Sequence, residues 1–282
     1  MKLFFLIAVS MTAFAANSVL NRVGVATFGM DPFVFAVIRV AAGATMLAVL
    51  VTLRGQSPFV DLPNRWRGAL ALTVYMIGFS WAYLSLGAGL GALILFGILQ
   101  MMMFGWAVFK RQPVPVMRWV GAAFALVGLA VLLWPSAPAM VPFAGTLAMI
   151  AATAGWAAYT ILGQGVRDPL AVSAGNFILC LPLVALSLLL ASGGVLSVGG
   201  VAAAIVAGAV TSGMGYALWY RVLPELPTTV AAVAQLSVPV IAVLAGVIFL
   251  AEPVSVRLIA AGVLVLGGIA VSNVRWVPAR HI

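Results

Sequence analysis

The residues of this sequence with chemistry to offer are polar and aromatic side chains embedded in long apolar runs. They fall on six of ten such runs: Asn17, Ser18 and Asn21 in the first, Tyr75, Ser80, Trp81 and Tyr83 in the third, and Gln100 in the fourth. The sixth holds Thr153, Trp156, Tyr159, Thr160 and Gln164; the eighth holds Thr211, Ser212, Tyr216, Trp219 and Tyr220; the ninth holds Gln235 and Ser237. Polar groups in hydrocarbon are costly unless they face a partner or a water-filled cavity. The pattern therefore predicts a cavity lined by these six runs, uncharged, aromatic and rich in amide and hydroxyl groups. Such a lining suits a small zwitterion or amphipathic metabolite, whose ends hydrogen-bond while its side chain meets rings. Trp81, Tyr83, Trp156 and Tyr159 lie deep in their runs and are assigned to the cavity. Trp106, Trp134 and Trp276 lie near run ends and are assigned to the lipid–water interface. For Ser and Thr the competing role is a bond back to their own helix.

Arg39, about two turns into the second run, admits two readings. Its planar fork of donors is suited to a substrate carboxylate; alternatively it is structural, snorkelling or bonding carbonyls of a neighbouring helix. The structural reading is favoured, because the position that matches it in the second half of the chain is the neutral Asn176. Pro182 and Pro239 interrupt the seventh and ninth runs and are expected hinges, since each removes a backbone hydrogen bond. No Asp or Glu lies near the middle of a run. Asp31, Asp168 and Glu252 sit at run ends, Asp61 and Glu225 between runs, and the only histidine is His281. Proton-coupled carriers usually bury a carboxylate or histidine as a relay, so movement down a substrate gradient, or coupling through some other group, is expected, with Glu252 the one acid retained as a candidate. An enzyme would need paired carboxylates, metal ligands or a nucleophile with its base. None is present, Cys180 is the single cysteine, and no metal or cofactor is expected. No ring of like charge suggests an ion filter, which disfavours a channel.

The elements that must position these residues follow from composition. Of 282 residues, 65% are hydrophobic and 7% charged, with a mean hydropathy of +1.24. A soluble domain carries about 25% charged residues, so lipid must be the solvent here. The net charge of +9 would suit a nucleic acid only as a patch on a folded surface. The basic residues instead sit in ones to threes between apolar runs, so the expected partners are the bilayer and a small molecule, with no nucleic acid. Lys2, Leu3–Val9 and Ala13–Phe14–Ala15 mimic a signal peptide. The apolar run continues to about Leu20 and further runs follow, so the segment is read as a retained first helix.

A helix needs about 20 mostly apolar residues to cross roughly 30 Å of hydrocarbon. The runs at 3–22, 33–53, 66–86, 89–109, 117–134, 143–163, 170–191, 200–221, 227–250 and 255–274 meet that need. With the N-terminus inside, only Arg22 and Arg257 of the 14 Lys and Arg fall on the outer side and Arg39 within a span. The remaining eleven are cytoplasmic, which predicts both termini in the cytoplasm of an inner-membrane protein.

The halves repeat. Asp31-Pro32 precedes the second span and Asp168-Pro169 the seventh; in that register Arg39 falls on Asn176. Gly78-x-x-Trp81-Ala82 matches Gly213-x-x-Tyr216-Ala217, Gln100 falls on Gln235, Arg118 on Arg257 and Gly128 on Gly267. Five spans per repeat is odd, so the second copy enters with opposite topology. The predicted fold is thus all-α integral membrane, ten transmembrane helices as two inverted five-helix repeats, 1–138 and 139–282, N-in and C-in. Inverted repeats suit secondary transporters, whose halves exchange conformations about a pseudo-two-fold axis. Spans five and ten are almost purely apolar and are expected at the periphery, supporting packing or a homodimer through Gly121, Gly128, Gly262 and Gly267.

These residues resemble the EamA branch of the drug/metabolite transporter superfamily. The resemblance covers essentially the whole chain, once per half. It is most specific in Tyr216-Ala-Leu-Trp-Tyr, Ala231-Ala-Val-Ala-Gln-Leu-Ser-Val-Pro-Val240, Glu252-Pro253 and Leu264-Val-Leu-Gly-Gly-Ile-Ala270, and in Asp31-Pro32 with Arg39. Phe14 stands where a Trp is frequent, and Lys110-Arg111-Gln112 where a Glu-Pro is expected, so Glu252 has no symmetric mate. The resemblance implies metabolite export, with amino-acid exporters of the YddG type the nearest branch. A broader exporter of drugs or other metabolites is the alternative, although a permanent cation would want a buried carboxylate and a nucleotide sugar a basic cluster.

Overall fold

The computed structural model describes residues 2–59, 65–111, 114–134, 141–163, 166–222, 234–235 and 237–272. Among them every regular element is helical. The helices are α1 (Lys2–Arg22), α2 (Pro32–Thr52), α3 (Trp66–Ala82), α4 (Ala88–Phe109), α5 (Val116–Leu133), α6 (Phe143–Leu162) and α7 (Pro169–Ala185). They are followed by α8 (Val198–Val206), α9 (Gly215–Val222), α10 (Ser237–Leu250) and α11 (Val256–Ser272). α1 ends in a π-helical turn, Val23–Thr27, and a second π segment, Ala207–Met214, joins α8 to α9 in one rod.

Local sequence sets the helix starts. Asp31 accepts from the backbone amides of Phe33 (2.8 Å) and Val34 (3.3 Å), with Pro32 at the first helical position. Asp168 accepts from Ala171 N (3.1 Å), followed by Pro169 in the same place. A carboxylate satisfies amides that have no intrahelical partner, and Pro has no amide to satisfy there. The second Asp31 oxygen accepts from Ser192 N at 3.0 Å, and Val195 N donates to Gly29 O at 3.1 Å, which ties the loop before α2 to the loop before α8.

Small residues let the rods approach closely, the packing mode available where lipid removes a hydrophobic drive between helices. α5 and α11 pack backbone to backbone at Gly121, Gly128 and Gly268. α3 and α6 meet at Gly78 and Gly155, α2 and α7 at Gly43 against Phe177, and α2 meets the second π segment at Gly208. The exposed surface is studded with large apolar side chains such as Leu126, Val127, Ile248, Phe249 and Val263.

Seven helical segments among the described residues are long and apolar enough to cross a membrane; Trp66–Ala82, Ser237–Leu250 and Val256–Ser272 are shorter. The third predicted span overran its helix, because the chain turns at 83–86 through Leu84 N to Trp81 O and Ser85 N to Ala82 O. The chain is a multi-pass membrane protein.

Pro182 lies inside α7, which tightens into a 3-10 turn at Leu186–Leu190. Pro239 lies within the Ser237–Leu250 segment of α10, where it is buried.

Candidate functional site

Arg39 is the centre of the polar interior. Its side chain is 0% exposed. Nε and Nη2 each donate to Ser212 Oγ at 3.3 Å, and Nη2 also reaches Tyr75 Oη at 3.4 Å. The guanidinium carbon lies 5.0 Å from the Phe79 ring centroid and 5.4 Å from that of Tyr75, so two ring faces hold the cation. Nη1 has no hydrogen-bond partner. This position depends on Gly208, whose missing side chain lets the π segment rest on the Arg39 carbonyl. π segments inside α-helices are frequent at functional sites.

The network continues along α1. Asn17 Nδ2 lies 3.5 Å from Tyr75 Oη, and Thr211 Oγ1 lies 3.2 Å from Asn17 Oδ1. Asn21 Nδ2 donates to Asn17 O at 2.9 Å, and Ser80 Oγ donates to Asn21 Oδ1 at 3.0 Å. One connected set of amide and hydroxyl groups thus joins α1, α2, α3 and the π segment. The aromatic wall adjoins it through Tyr75. Trp156 packs 5.0 Å from Tyr75, 5.2 Å from Tyr216 and 5.7 Å from Tyr159 by ring centroids. Phe14 and Phe177 close on Tyr216 edge-on, and Phe14 meets Trp219 at 6.2 Å.

At the end of the bundle carrying Arg22, a cavity of about 280 Å³ opens among Arg22, Gly87, Val243, Val247, Glu252 and Pro253. Glu252 Oε1 accepts from Ala88 N at 2.8 Å and lies 3.6 Å from Arg22 Nε. Arg22 Nη1 also donates to Tyr83 O and Leu84 O, both at 2.9 Å. One carboxylate therefore ties the end of α1, the α3–α4 turn and the α10–α11 link. Arg22, which lines the cavity, directly follows Asn21 of the polar network in α1.

Of the residues singled out by sequence, the structure brings together Asn17, Arg39, Tyr75, Ser80, Trp156, Tyr159, Tyr216 and Trp219. Tyr83 is fully buried beside Phe79, ring centroids 4.8 Å apart. Trp81 does not join them: at 44% exposed it points away from the bundle, because the face of α3 carrying Tyr75 and Phe79 is the buried one. Gln100 donates to Ser272 Oγ of α11 at 3.3 Å instead of joining the network. Gln235 is partly buried. Gln164, Asp61, Glu225, Trp276 and the Tyr220 side chain lie outside the described residues. Arg39 bonds the hydroxyls of Ser212 and Tyr75. Phe79 and Phe177 were missed, because a Phe in an apolar run carries no mark of which face it occupies. The glycines at 121 and 128, read as packing or dimer contacts, are consumed between α5 and α11.

Residues 143–274 match the model of the EamA-like transporter family. An uncharacterized protein of Pseudomonas aeruginosa is 44% identical over 94% of this chain and 92% of its own. An uncharacterized transporter of Archaeoglobus fulgidus is 25% identical, covering 85% of this chain and 88% of its own. The uncharacterized transporter YwfM of Bacillus subtilis is 26% identical, covering 79% and 78% respectively. A solved crystal structure superposes with a TM-score of 0.69 over 95% of this chain and 96% of that one at 22% identity, a likeness of fold alone. With helices of membrane-spanning length, a buried polar centre and these relatives, the chain belongs to the EamA-like transporter family.

Proposed function

We propose that the chain exports amino acids or similarly small zwitterionic metabolites across the inner membrane by alternating access through the Arg39 centre, with both termini cytoplasmic. The observation that carries this reading is the joined amide, hydroxyl and aromatic lining around Arg39, Tyr75 and Trp156. A buried polar set is expensive in lipid unless its groups meet one another, water or a polar ligand, and Arg39 Nη1 has no partner in the set. The rings offer apolar surface to a side chain while Asn17, Ser80 and Thr211 offer neutral donors and acceptors.

Inverted five-helix repeats are supported by the pairing of elements. α2 packs on α7, α4 on α10 and α5 on α11, each a helix against its expected repeat mate, and α3 on α6 is mirrored by α1 on α9 and the π segment before it. The turns after α4 and α10 each contain a non-glycine residue in the left-handed region, Arg111 (φ 52°) and Ala251 (φ 50°). The Arg22–Glu252–Ala88 tie is a suitable outer closure. Loosening it would open the adjoining cavity toward Asn21 and then Arg39. A homodimer, if formed through the fifth and tenth spans, would use outward residues such as Leu126, Val127 and Val263 and the open Gly267, since Gly121 and Gly128 are already occupied between α5 and α11.

The test is uptake into proteoliposomes with labelled threonine, methionine, phenylalanine, lysine and glutamate in parallel. Saturable flux of one or more, lost in Trp156→Ala, is the expected result. No flux above empty liposomes, from folded and inserted protein, would reject amino acids as the cargo.

A further inference from the structure

The substrate site proposed above contains a cation without a counter-charge, and this carries an inference about what the cargo must bring. A guanidinium stays protonated under all ordinary conditions, and a buried charge lacking an opposite partner is strongly unfavourable. Arg39 is sealed from solvent, and every group that accepts from it is a neutral hydroxyl. The described acids are committed elsewhere: Asp31 caps α2 and binds Ser192 N, Asp168 caps α7, and Glu252 holds Ala88 N and Arg22. The remaining two acids of the sequence, Asp61 and Glu225, fall between apolar runs.

The donor inventory indicates where an anion would go. Nε and Nη2 are taken by Ser212 and Tyr75, whereas Nη1 has no partner. With the guanidinium carbon over the Phe79 and Tyr75 rings, Nη1 is the donor left for a ligand. Asn17 Nδ2, within 3.5 Å of Tyr75 Oη, adds a neutral donor close by. We infer that Arg39 Nη1 receives a carboxylate of the transported molecule, so that the site selects acids and zwitterions and rejects amines. This rests on the Arg39 centre being the substrate site. The physical rule is mutual satisfaction: the cargo's carboxylate supplies the missing counter-charge, while a cargo carrying only an ammonium would place like charge against like.

The test compares ligands on the purified wild-type protein in detergent, read by thermal unfolding. Phenylalanine, 3-phenylpropionate, phenylalanine amide and phenethylamine share one ring and differ only in the carboxylate and amine. The two carboxylates are expected to raise the midpoint, with the amide and the amine binding at least about tenfold more weakly, a difference of about 1.4 kcal/mol. Equal stabilisation by the amide or amine, none by either carboxylate, or as much by sodium chloride at the same concentration would overturn the inference. Arg39→Lys should keep the preference for acids and Arg39→Gln should abolish it; a merely structural arginine would change stability and leave the ligand order unaltered. The outcomes separate the two ideas. Carboxylate binding without amino-acid flux would reject the export reading and keep Arg39 as a carboxylate receptor. Amino-acid flux inhibited as well by the amide as by the acid would do the reverse.

Discussion

Replacing Gly208 by alanine adds one methyl group where the π segment crosses α2. The new Cβ would overlap the Arg39 carbonyl oxygen and sit 2.8 Å from Arg39 C and 2.9 Å from Ala42 Cβ, where ordinary contacts begin near 3.4 Å. These neighbours are backbone and a methyl group, with no side chain able to rotate away, so the two elements must part by roughly 1 Å to restore normal contact distances. Arg39 reaches Ser212 at 3.3 Å, near the limit of a hydrogen bond, and a further ångström ends the interaction. Overpacking costs about 1–3 kcal/mol and a lost bond to a charged donor about 1.5–3 kcal/mol. With partial relaxation the sum is expected near 2–4 kcal/mol. Gly267→Ala is the control, since an added Cβ there meets nothing within 4 Å, and removing a helical glycine stabilises by roughly 0.5–1 kcal/mol. Unfolding of the purified protein, with flux measured alongside, reads both. If Gly208→Ala unfolds with Gly267→Ala and transports normally, the Arg39 crossing does not have the role given to it.

Three further outcomes follow from named contacts. Trp156→Ala removes ring contacts to Tyr75, Tyr159 and Tyr216, each worth about 0.5–1.5 kcal/mol; flux should fall tenfold or more, while Trp81→Ala, on the exposed face, leaves it unchanged. Glu252→Gln keeps an acceptor for Ala88 N but removes the partly exposed pair with Arg22, so thermal unfolding should shift by less than about 1 kcal/mol. Glu252→Ala, which leaves the amide unpaired, should shift it further. Cys180 is buried and accepts a hydrogen bond from Thr73; a membrane-permeable maleimide should leave it unmodified in folded protein and label it on unfolding, measured by mass.

What could be read from sequence divides along physical lines. Asp31-Pro32 and Asp168-Pro169 signalled helix starts because capping chemistry is local, and both carboxylates cap as their type requires. Hydropathy located the apolar segments because solvation depends on composition. Facing was harder. Trp81 and Tyr75 share one helix and both look like cavity residues, yet only Tyr75 points inward, since rotation about a helix axis is set by tertiary packing. Phe79 and Phe177 carried no polar mark to distinguish them from lipid-facing rings. Arg39 was visible as an anomaly, but its neutral hydroxyl partners come from Tyr75 and Ser212, 36 and 173 positions away. The glycines at 121 and 128 were visible as packing residues, whereas their partner surface on α11 emerged only from the fold.

The central claim is that one buried site carries the cargo by turns to each side, and counterflow tests it most directly. Proteoliposomes loaded with unlabelled amino acid are diluted into a trace of the same labelled compound. A carrier working through the Arg39 centre accumulates label transiently above equilibrium, and Trp156→Ala abolishes the overshoot. Label that rises smoothly to equilibrium, unaffected by the internal amino acid or by Trp156→Ala, would contradict the account.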